Sequence, residues 1–333
     1  MQKDHRNRGA LLLGHANGER VMRDLQVHAW RLADFVGPVS LPLFRPGARS
    51  EAPAPPALAL KGRATPVALH VSDMEGPSPR AAGGVMLARE LRLDGQRHAA
   101  GTPLSAVQVL SLAGPGAPEM VIVALEGVPA LVVASQAIRP GQEMRLTSWR
   151  PAAKEPPAEG LGHGTQLETP YGPMPIDQLA EGDEVLAQGC LVSRIRQLER
   201  QVYSAAELAF CPWLRPVRIS AGALGGRRPA ADLTLAPGQT ILAGQTDGRG
   251  GRDAVPAGLL IDGRAVAPVL PLFGMSYFRL RLDSALPVMA NGLPVAPGPQ
   301  QGERKTAPHL PGYPVRPSAA SGHGRGLAGT AAG

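Results

Sequence analysis

Few residue types in this sequence could act as a nucleophile or carry a proton. The 333-residue chain has 2 cysteines, Cys190 and Cys211, and 8 histidines. Two cysteines are too few for a disulfide framework, and no cysteine and histidine lie at zinc-site spacing. The pattern QGCLV around Cys190 is typical of a strand, so we expect a small buried hydrophobic residue there, with a displaced nucleophile as the alternative. We expect the same buried role for Cys211. The sequence therefore predicts no metal and no cofactor.

A glycine-rich stretch followed by short strand patterns begins at residue 160. It reads GLGHGTQLETPYGPMPIDQLAEGDEVLA. One predicted strand runs from Gln166 to Thr169, a turn reverses the chain, and Gly182 lies in a tight turn where glycine tolerates a positive φ. Two later blocks, LRPVRISAGALGGRRPAADLTLAPGQTIL and YFRLRLDSALPVMANGLPV, also alternate as strands. The pair Asn291-Gly292 predicts a type I′ hairpin. Together these blocks predict an all-β domain.

The three blocks, in this order, resemble the Hint (Hedgehog/intein) domain family, in the form common in bacterial proteins of alphaproteobacterial type. The resemblance implies a horseshoe-like, all-β disk over residues 160–297. It also implies self-processing: a cysteine or serine at the first residue of the domain attacks the carbonyl before it. A histidine then protonates the departing nitrogen, and hydrogen-bond donors stabilise the oxyanion.

The resemblance also implies which residues occupy the catalytic positions of the family. Gly164 and Thr165 match the Gly-Thr pair of the family, which puts Gly160 at the nucleophile. The second block puts Ala236 at the hydroxyl position and Gln239 at the histidine. Glycine has no side-chain nucleophile, and glutamine cannot deliver a proton near neutral pH. We therefore predict a degenerate site, in which the fold is kept and the reaction is lost.

Neighbouring residues offer weaker alternatives. His163 lies three residues after Gly160 and is either a replacement base or an exposed loop histidine. Thr165 is the hydroxyl nearest the start of the domain, and we expect it to be structural because a threonine nucleophile needs a paired base. Bacterial relatives often carry a histidine near Asp283, where this chain has Ala285. With no base beside it, Asp283 is expected to cap a turn.

The remaining sequence predicts a mainly β protein with a second, smaller β domain. Apolar spacings of three and four residues predict a helix over 19–35, within an N-terminal segment and linker at 1–56. Residues 57–150 have strand patterns and predict a small β-rich domain of unknown role, in which MVIVAL and LVVASQAI form a hairpin. Residues 48–56 and 151–159 are proline-rich linkers by composition. The tail, 298–333, has almost no large apolar residues and is predicted to be disordered.

Charge and composition leave the partner unidentified. The net charge is +7, but the arginines are scattered and aromatic residues make up only 4% of the chain. Nucleic-acid binding is therefore not favoured, because stacking platforms are scarce. No apolar run is long enough for a membrane span or a signal peptide, so a cytoplasmic location is expected. An unknown protein partner is expected for a non-cleaving domain.

Three functions follow from these observations. The first is a Hint domain that has lost self-processing and serves as a binding or structural module. The second is a cleavage between Glu159 and Gly160 that is still active, through a rearranged site using His163 or Cys190. The third is a basic protein that binds nucleic acid or an anionic surface, with an affinity that falls steeply with salt.

Overall fold

The fold was obtained as a computed structural model. The described residues are 10–12, 15–16, 19–20, 24–37, 57–74, 84–113, 119–154, 157, 159–242 and 254–298. The linker predicted at 48–56 lies outside them, as does the tail predicted at 298–333 apart from Gly298. Within the described residues, no helix has the length and apolar character needed to cross a membrane.

The described residues are mostly β-strands, which confirms the mainly β fold class. Strands up to residue 151 are β1 (Ala10–Leu12), β2 (His15–Ala16), β3 (Glu19–Arg20), β4 (Leu25–Arg31), β5 (Phe35–Val36), β6 (Ala57–Leu60), β7 (Val67–Asp73), β8 (Val85–Leu87), β9 (Leu91–Leu93), β10 (Gln96–His98), β11 (Pro103–Leu112), β12 (Met120–Leu125), β13 (Val128–Ala134) and β14 (Glu143–Pro151).

Later strands are β15 (Leu161–Gly162), β16 (Gln166–Thr169), β17 (Gly172–Pro175), β18 (Glu184–Ala187), β19 (Leu191–Tyr203), β20 (Val217–Ile219), β21 (Leu233–Leu235), β22 (Thr240–Leu242), β23 (Ala254–Pro256), β24 (Val266–Pro271), β25 (Met275–Leu282), β26 (Val288–Ala290) and β27 (Leu293–Val295). One α-helix among the described residues, α1, spans Ala205–Phe210. Short 3-10 helices span Leu32–Asp34, Ile176–Gln178, Pro212–Leu214 and Ala257–Leu260.

The first sheet closes into a barrel. The strand order β12-β13-β4-β7-β8-β11 returns to β12, and the pairings are antiparallel. Strands β14, β6 and β5 extend this sheet from β11. Strand β12 is buried along its whole length because both of its faces are covered. Val121 and Val123 face the interior of the barrel, whereas Met120 and Ile122 pack against the extension.

The helix predicted over 19–35 is wrong for the described part of that range. Residues 25–31 form β4, followed by the short 3-10 helix and β5. Leu25, Val27 and Ala29 pack on the barrel interior, and Trp30 faces the other way. Their spacing fits the period of two of a strand as well as a helical period. The segment forms a strand because its backbone pairs with β7 and β13. Local periodicity carries no information about those distant partners.

The strand order of the second sheet is β1-β24-β20-β21-β15-β25-β19-β18-β26-β27-β22-β23, with β16 paired to β17 and β26. Hairpins in both sheets confirm the turns predicted from sequence. Asn291 and Gly292 have φ values of 46° and 75° between β26 and β27, as a type I′ turn requires. The pair Glu126 and Gly127 does the same between β12 and β13. Strands β16 and β17 pair across the predicted turn. The predicted domain and linker boundaries remain predictions, although β14 runs to Pro151.

A long ribbon of β19 and β25 connects the interior of the second sheet to the barrel. At one end, Ile195, Leu280 and Leu282 are buried in the core of the second sheet. At the other end, Tyr203 and Tyr277 join the barrel core. Helix α1 follows β19, and its buried residues Ala206, Leu208, Ala209 and Phe210 extend the same core. The barrel core therefore extends into α1 and the adjoining end of the second sheet, whereas the rest of the second sheet is buried in a separate cluster.

Two ion pairs cross this junction: Arg150–Glu207 is part-buried, and Arg215–Asp73 is buried. Arg150 of β14 donates to both carboxylate oxygens of Glu207 in α1, at 2.7 and 2.6 Å, and Glu207 is 0% exposed. Arg215, 2% exposed, donates to Asp73 of β7 at 2.7 Å. The Arg215 guanidinium also donates to the carbonyls of Leu208 and Ala209. These bonds fix the position of α1 against the barrel.

Candidate functional site

Gly160 lies at the start of β15, between two other strands. The next residue, Leu161, pairs with Leu235 on one side and with Phe278 on the other. Gly160 is buried and has a φ of +157°. A Cβ built on Gly160 would lie 2.8 Å from the Cβ of Tyr277, a distance that real Cβ atoms do not show. Both the backbone conformation and the space therefore favour glycine at the first position of the domain.

Gln239 lies next to Gly160 and is only 3% exposed. Its Oε1 accepts the backbone N–H of Gly160 at 2.9 Å. Its Nε2 donates to the carbonyls of Thr240 at 3.1 Å and Ala296 at 2.8 Å. These partners fix the orientation of the amide, because an N–H can only meet Oε1 and the carbonyls can only meet Nε2. Gln239 thus joins the first residue of the domain to its last strand.

Ala236 completes the contact with Gly160. The Ala236 N–H donates to the Gly160 carbonyl at 2.8 Å, and the Gln239 N–H donates to the Ala236 carbonyl at 3.0 Å. Ala236 is fully buried in the core shared with the barrel. The structure therefore brings together three residues, Gly160, Ala236 and Gln239, that sequence reasoning assigned to one site. We refer to this group of three as the seam.

The seam is closely packed on the side of the last described residues. Gly298 donates its N–H to the Leu280 carbonyl at 2.8 Å and closely approaches the Glu159 carboxylate. A cavity of only about 10 Å³ remains between Glu159, Gln239 and Ala296, which is room for about one water molecule. Sequence reasoning missed Ala296, because a carbonyl acceptor has no signature in the residue type.

Thr165 is buried in the turn that follows β15. The residue is 3% exposed, and its Oγ1 donates to the Gly162 carbonyl at 2.6 Å. This hydroxyl proton is therefore committed to closing the turn after β15. The Gly164 N–H donates to the Asp177 carboxylate in the same turn. The His163 side chain is exposed, and its backbone N–H donates to the Ser276 carbonyl.

Asp283 lies away from the seam, at the far end of β25. Five residues separate it from Phe278, the partner of Leu161, which corresponds to roughly 17 Å of strand. The Asp283 carboxylate accepts hydrogen bonds from the Ser193 hydroxyl and the Arg194 N–H, which lower the pKa of Asp283. Asp283 therefore ties the end of β25 to β19 and does not reach Gly160.

The cysteines divide into one exposed and one buried thiol. The prediction of a buried strand residue at Cys190 is wrong: Cys190 is exposed, with a φ of 59°, in the three-residue turn between β18 and β19. Non-glycine residues seldom adopt this conformation, so the residue type gave no sign of the turn. Cys211 is buried as predicted, and burial raises the pKa of its thiol. In the part of the chain that the structure describes, no His, Cys, Asp and Glu cluster could hold a metal ion.

The hydrogen bonds at the seam join amide N–H groups to carbonyl oxygens, all of them uncharged. Gly160 contacts the amide of Gln239, the backbone of Ala236 and the apolar part of Tyr277. None of these three can attack a carbonyl or donate a proton to an amide nitrogen near neutral pH. What the geometry provides is a set of neutral hydrogen bonds that hold the Glu159–Gly160 peptide in place.

Two comparisons with known proteins found similarity. Residues 160–296 match the family model described as the Hint domain. No curated protein matches the chain. Among solved structures, the chain is similar to the crystal structure of the gp41-1 intein, at 12% identity and a TM-score of 0.26, over 41% of this chain and 97% of that chain. Over residues 160–296, the chain is therefore similar to the Hint domain family.

Proposed function

We propose that this Hint domain does not cleave its own chain and that it serves as a structural module, completing the core of the N-terminal β-barrel. The observation that carries the proposal is the hydrogen bond from the Gly160 N–H to the Gln239 side chain. It links the residues at the nucleophile and histidine positions of the family. Their close contact supports the assignment of both positions to one site.

Loss of the reaction follows from what these residues lack. The acyl shift needs a side-chain nucleophile at residue 160, and glycine has none. Departure of the nitrogen needs a proton, and general acid help is worth about 10²–10⁴-fold. Gln239 instead offers an acceptor to that nitrogen. A cysteine at residue 160 would also meet Tyr277, so the surrounding backbone is shaped to glycine.

The structural role is argued from the buried side chains and ion pairs that the domain contributes to the barrel. Helix α1, Leu214, Ala236 and Tyr277 are buried together with barrel residues in one core. The Arg150–Glu207 and Arg215–Asp73 pairs connect the same two parts. A released domain would expose this apolar surface and separate both charge pairs, of which Arg215–Asp73 is buried, at a large cost in free energy. A domain that stays attached avoids that cost.

The test is the intact mass of the full-length chain. The purified protein would be held at 37 °C overnight, with and without a thiol and with hydroxylamine, which releases thioesters and esters. We expect one species at the full mass of 34.6 kDa under all three conditions. Two fragments, one ending at Glu159 and the other beginning at Gly160, would contradict the proposal. Variants His163→Ala and Cys190→Ala would then show which side chain supports the cleavage.

A further inference from the structure

A cavity of about 560 Å³ lies outside the seam, where the barrel meets α1. This volume falls within the range of about 300–1,000 Å³ that small-molecule sites occupy. Strand β4, the segment after β13, helix α1 and the end of β24 form its walls. The lining residues are 25–28, Trp30, Pro66, 133–138, Ala205, Ala206, Ala209 and 270–272.

Small side chains create this space. Five of the lining residues are alanines, namely Ala134, Ala137, Ala205, Ala206 and Ala209. Three of them belong to α1, where larger residues would fill part of the space. The wall also carries larger apolar groups such as Leu25 and Trp30, and Trp30 is only 7% exposed. The result is a largely apolar recess that is open to solvent along Gln26, His28 and residues 135–137.

The charge of the wall restricts the ligand. Among the described lining residues there is no Lys, Arg, Asp or Glu, and the one titratable side chain is His28. An ionic group in the recess would lose hydration without gaining a fixed counter-charge. The polar side chains Gln26, Ser135 and Gln136 can hydrogen-bond with one neutral polar group. The wall is therefore complementary to an uncharged molecule.

We infer that this cavity binds an uncharged, predominantly apolar small molecule with a single hydrogen-bonding group. The apolar body of the ligand lies against Leu25, Trp30 and the alanines of α1. Its polar group faces Gln26, Ser135 or Gln136. Because the cavity lies at the junction of the two sheets, its occupant stabilises their contact by binding only the assembled state.

A matched pair of dyes tests the inference on the full-length protein. N-phenyl-1-naphthylamine is neutral, and its 8-sulfonate derivative adds one negative charge to the same rings. We expect saturable binding of the neutral dye at one site, at least tenfold tighter than the sulfonate at 150 mM salt. Absence of saturable binding, or tighter binding of the sulfonate, would overturn the inference.

Cavity-filling variants locate the dye. Ala137→Phe and Ala205→Phe each place a ring in the recess, and we expect either to weaken dye binding at least tenfold. The control is Ala254→Phe, because Ala254 is an exposed alanine on β23 outside the cavity. Urea unfolding of each variant confirms that it is folded. Equal affinities in all three variants would place the dye elsewhere and refute the site.

A second copy of the chain is the alternative occupant of the recess. In that case, dye binding would be coupled to dissociation of a dimer, and the apparent affinity would fall as the protein concentration rises. Sedimentation velocity with and without dye distinguishes the two occupants. If a small molecule is the occupant, the sedimentation coefficient should not change when dye is added. Conversion of a dimer to a monomer on adding dye would show that a second copy of the chain occupies the recess, and would overturn the inference.

Discussion

Arg215 offers a direct measure of how strongly the second sheet and the barrel depend on each other for stability. Its guanidinium is 2% exposed and donates to Asp73 at 2.7 Å, Leu208 at 2.9 Å and Ala209 at 3.0 Å. Arg215→Ala removes the cation from beside a buried carboxylate and frees two carbonyls. Breaking a buried ion pair in this way costs about 3–5 kcal/mol. The folding equilibrium should therefore fall by roughly two to three and a half decades.

Urea unfolding followed by tryptophan fluorescence gives the assay. With a slope of about 3 kcal/mol per molar urea, the midpoint should fall by roughly 1–1.7 M. We expect a single transition in the unsubstituted protein and in Arg215→Ala, because α1 and the adjoining end of the second sheet are buried in the barrel core. The matched control is Arg196→Ala: Arg196 is exposed and pairs with Asp283 at 3.9 Å, so its loss should cost no more than about 0.5 kcal/mol.

A second substitution separates charge from packing at this site. Asp73→Asn in the Arg215→Ala background neutralises the buried carboxylate and should recover part of the lost free energy. The reasoning fails if Arg215→Ala costs less than about 1 kcal/mol, which is the level expected of a surface pair. It also fails if the unsubstituted protein unfolds in two transitions of which only one responds to Arg215→Ala.

Three further predictions concern the seam and the junction. Gln239→Ala leaves two buried groups, the Gly160 N–H and the Ala296 carbonyl, without this partner. At about 1–3 kcal/mol for each group, the variant should lose roughly 2–6 kcal/mol of stability in urea unfolding, and a loss under 1 kcal/mol would contradict this. Gly160→Ala should be destabilising by about 1–3 kcal/mol because its Cβ meets Tyr277, whereas the control Gly62→Ala, which meets no atom within 4 Å, should change little. Burial raises the pKa of the Glu119 carboxyl, so the folded state favours its protonated form. The free energy of unfolding therefore falls as the pH rises above the ordinary pKa of glutamate. Glu119→Gln should therefore stabilise the protein more at pH 7 than at pH 4 in thermal melts, and a gain that is larger at pH 4 would reverse the sign.

Features with a local signature could be predicted from the sequence. The turns at Glu126-Gly127 and Asn291-Gly292 follow from glycines between two strand patterns, and Asn291 also accepts a positive φ. The contact between Gly160 and Gln239 could be anticipated because both residues belong to blocks with a fixed order. The structural role assigned to Thr165 beside Gly164 came from the same block. In each case a few adjacent residues carry the information.

Features that depend on distant partners could not be predicted. Arg215 and Asp73 are 142 residues apart in the chain, and nothing near either residue indicates the other. Strand β4 was predicted as a helix because its apolar spacing fits both periods, and only pairing with β7 and β13 decides between them. Cys190 was assigned to a strand because a cysteine with positive φ is rare. Long-range topology, rather than residue type, determines these three features.

The central claim is that Gln239 holds the Gly160 amide in a buried, neutral hydrogen bond. Amide hydrogen exchange at Gly160, followed by NMR on the full-length protein, tests that bond directly. The structure predicts protection at Gly160 comparable to that of the buried strand residues Leu161 and Phe278, and a marked loss of protection at Gly160 in the Gln239→Ala variant. Rapid exchange at Gly160 in the unsubstituted protein, or protection that survives Gln239→Ala unchanged, would contradict the claim.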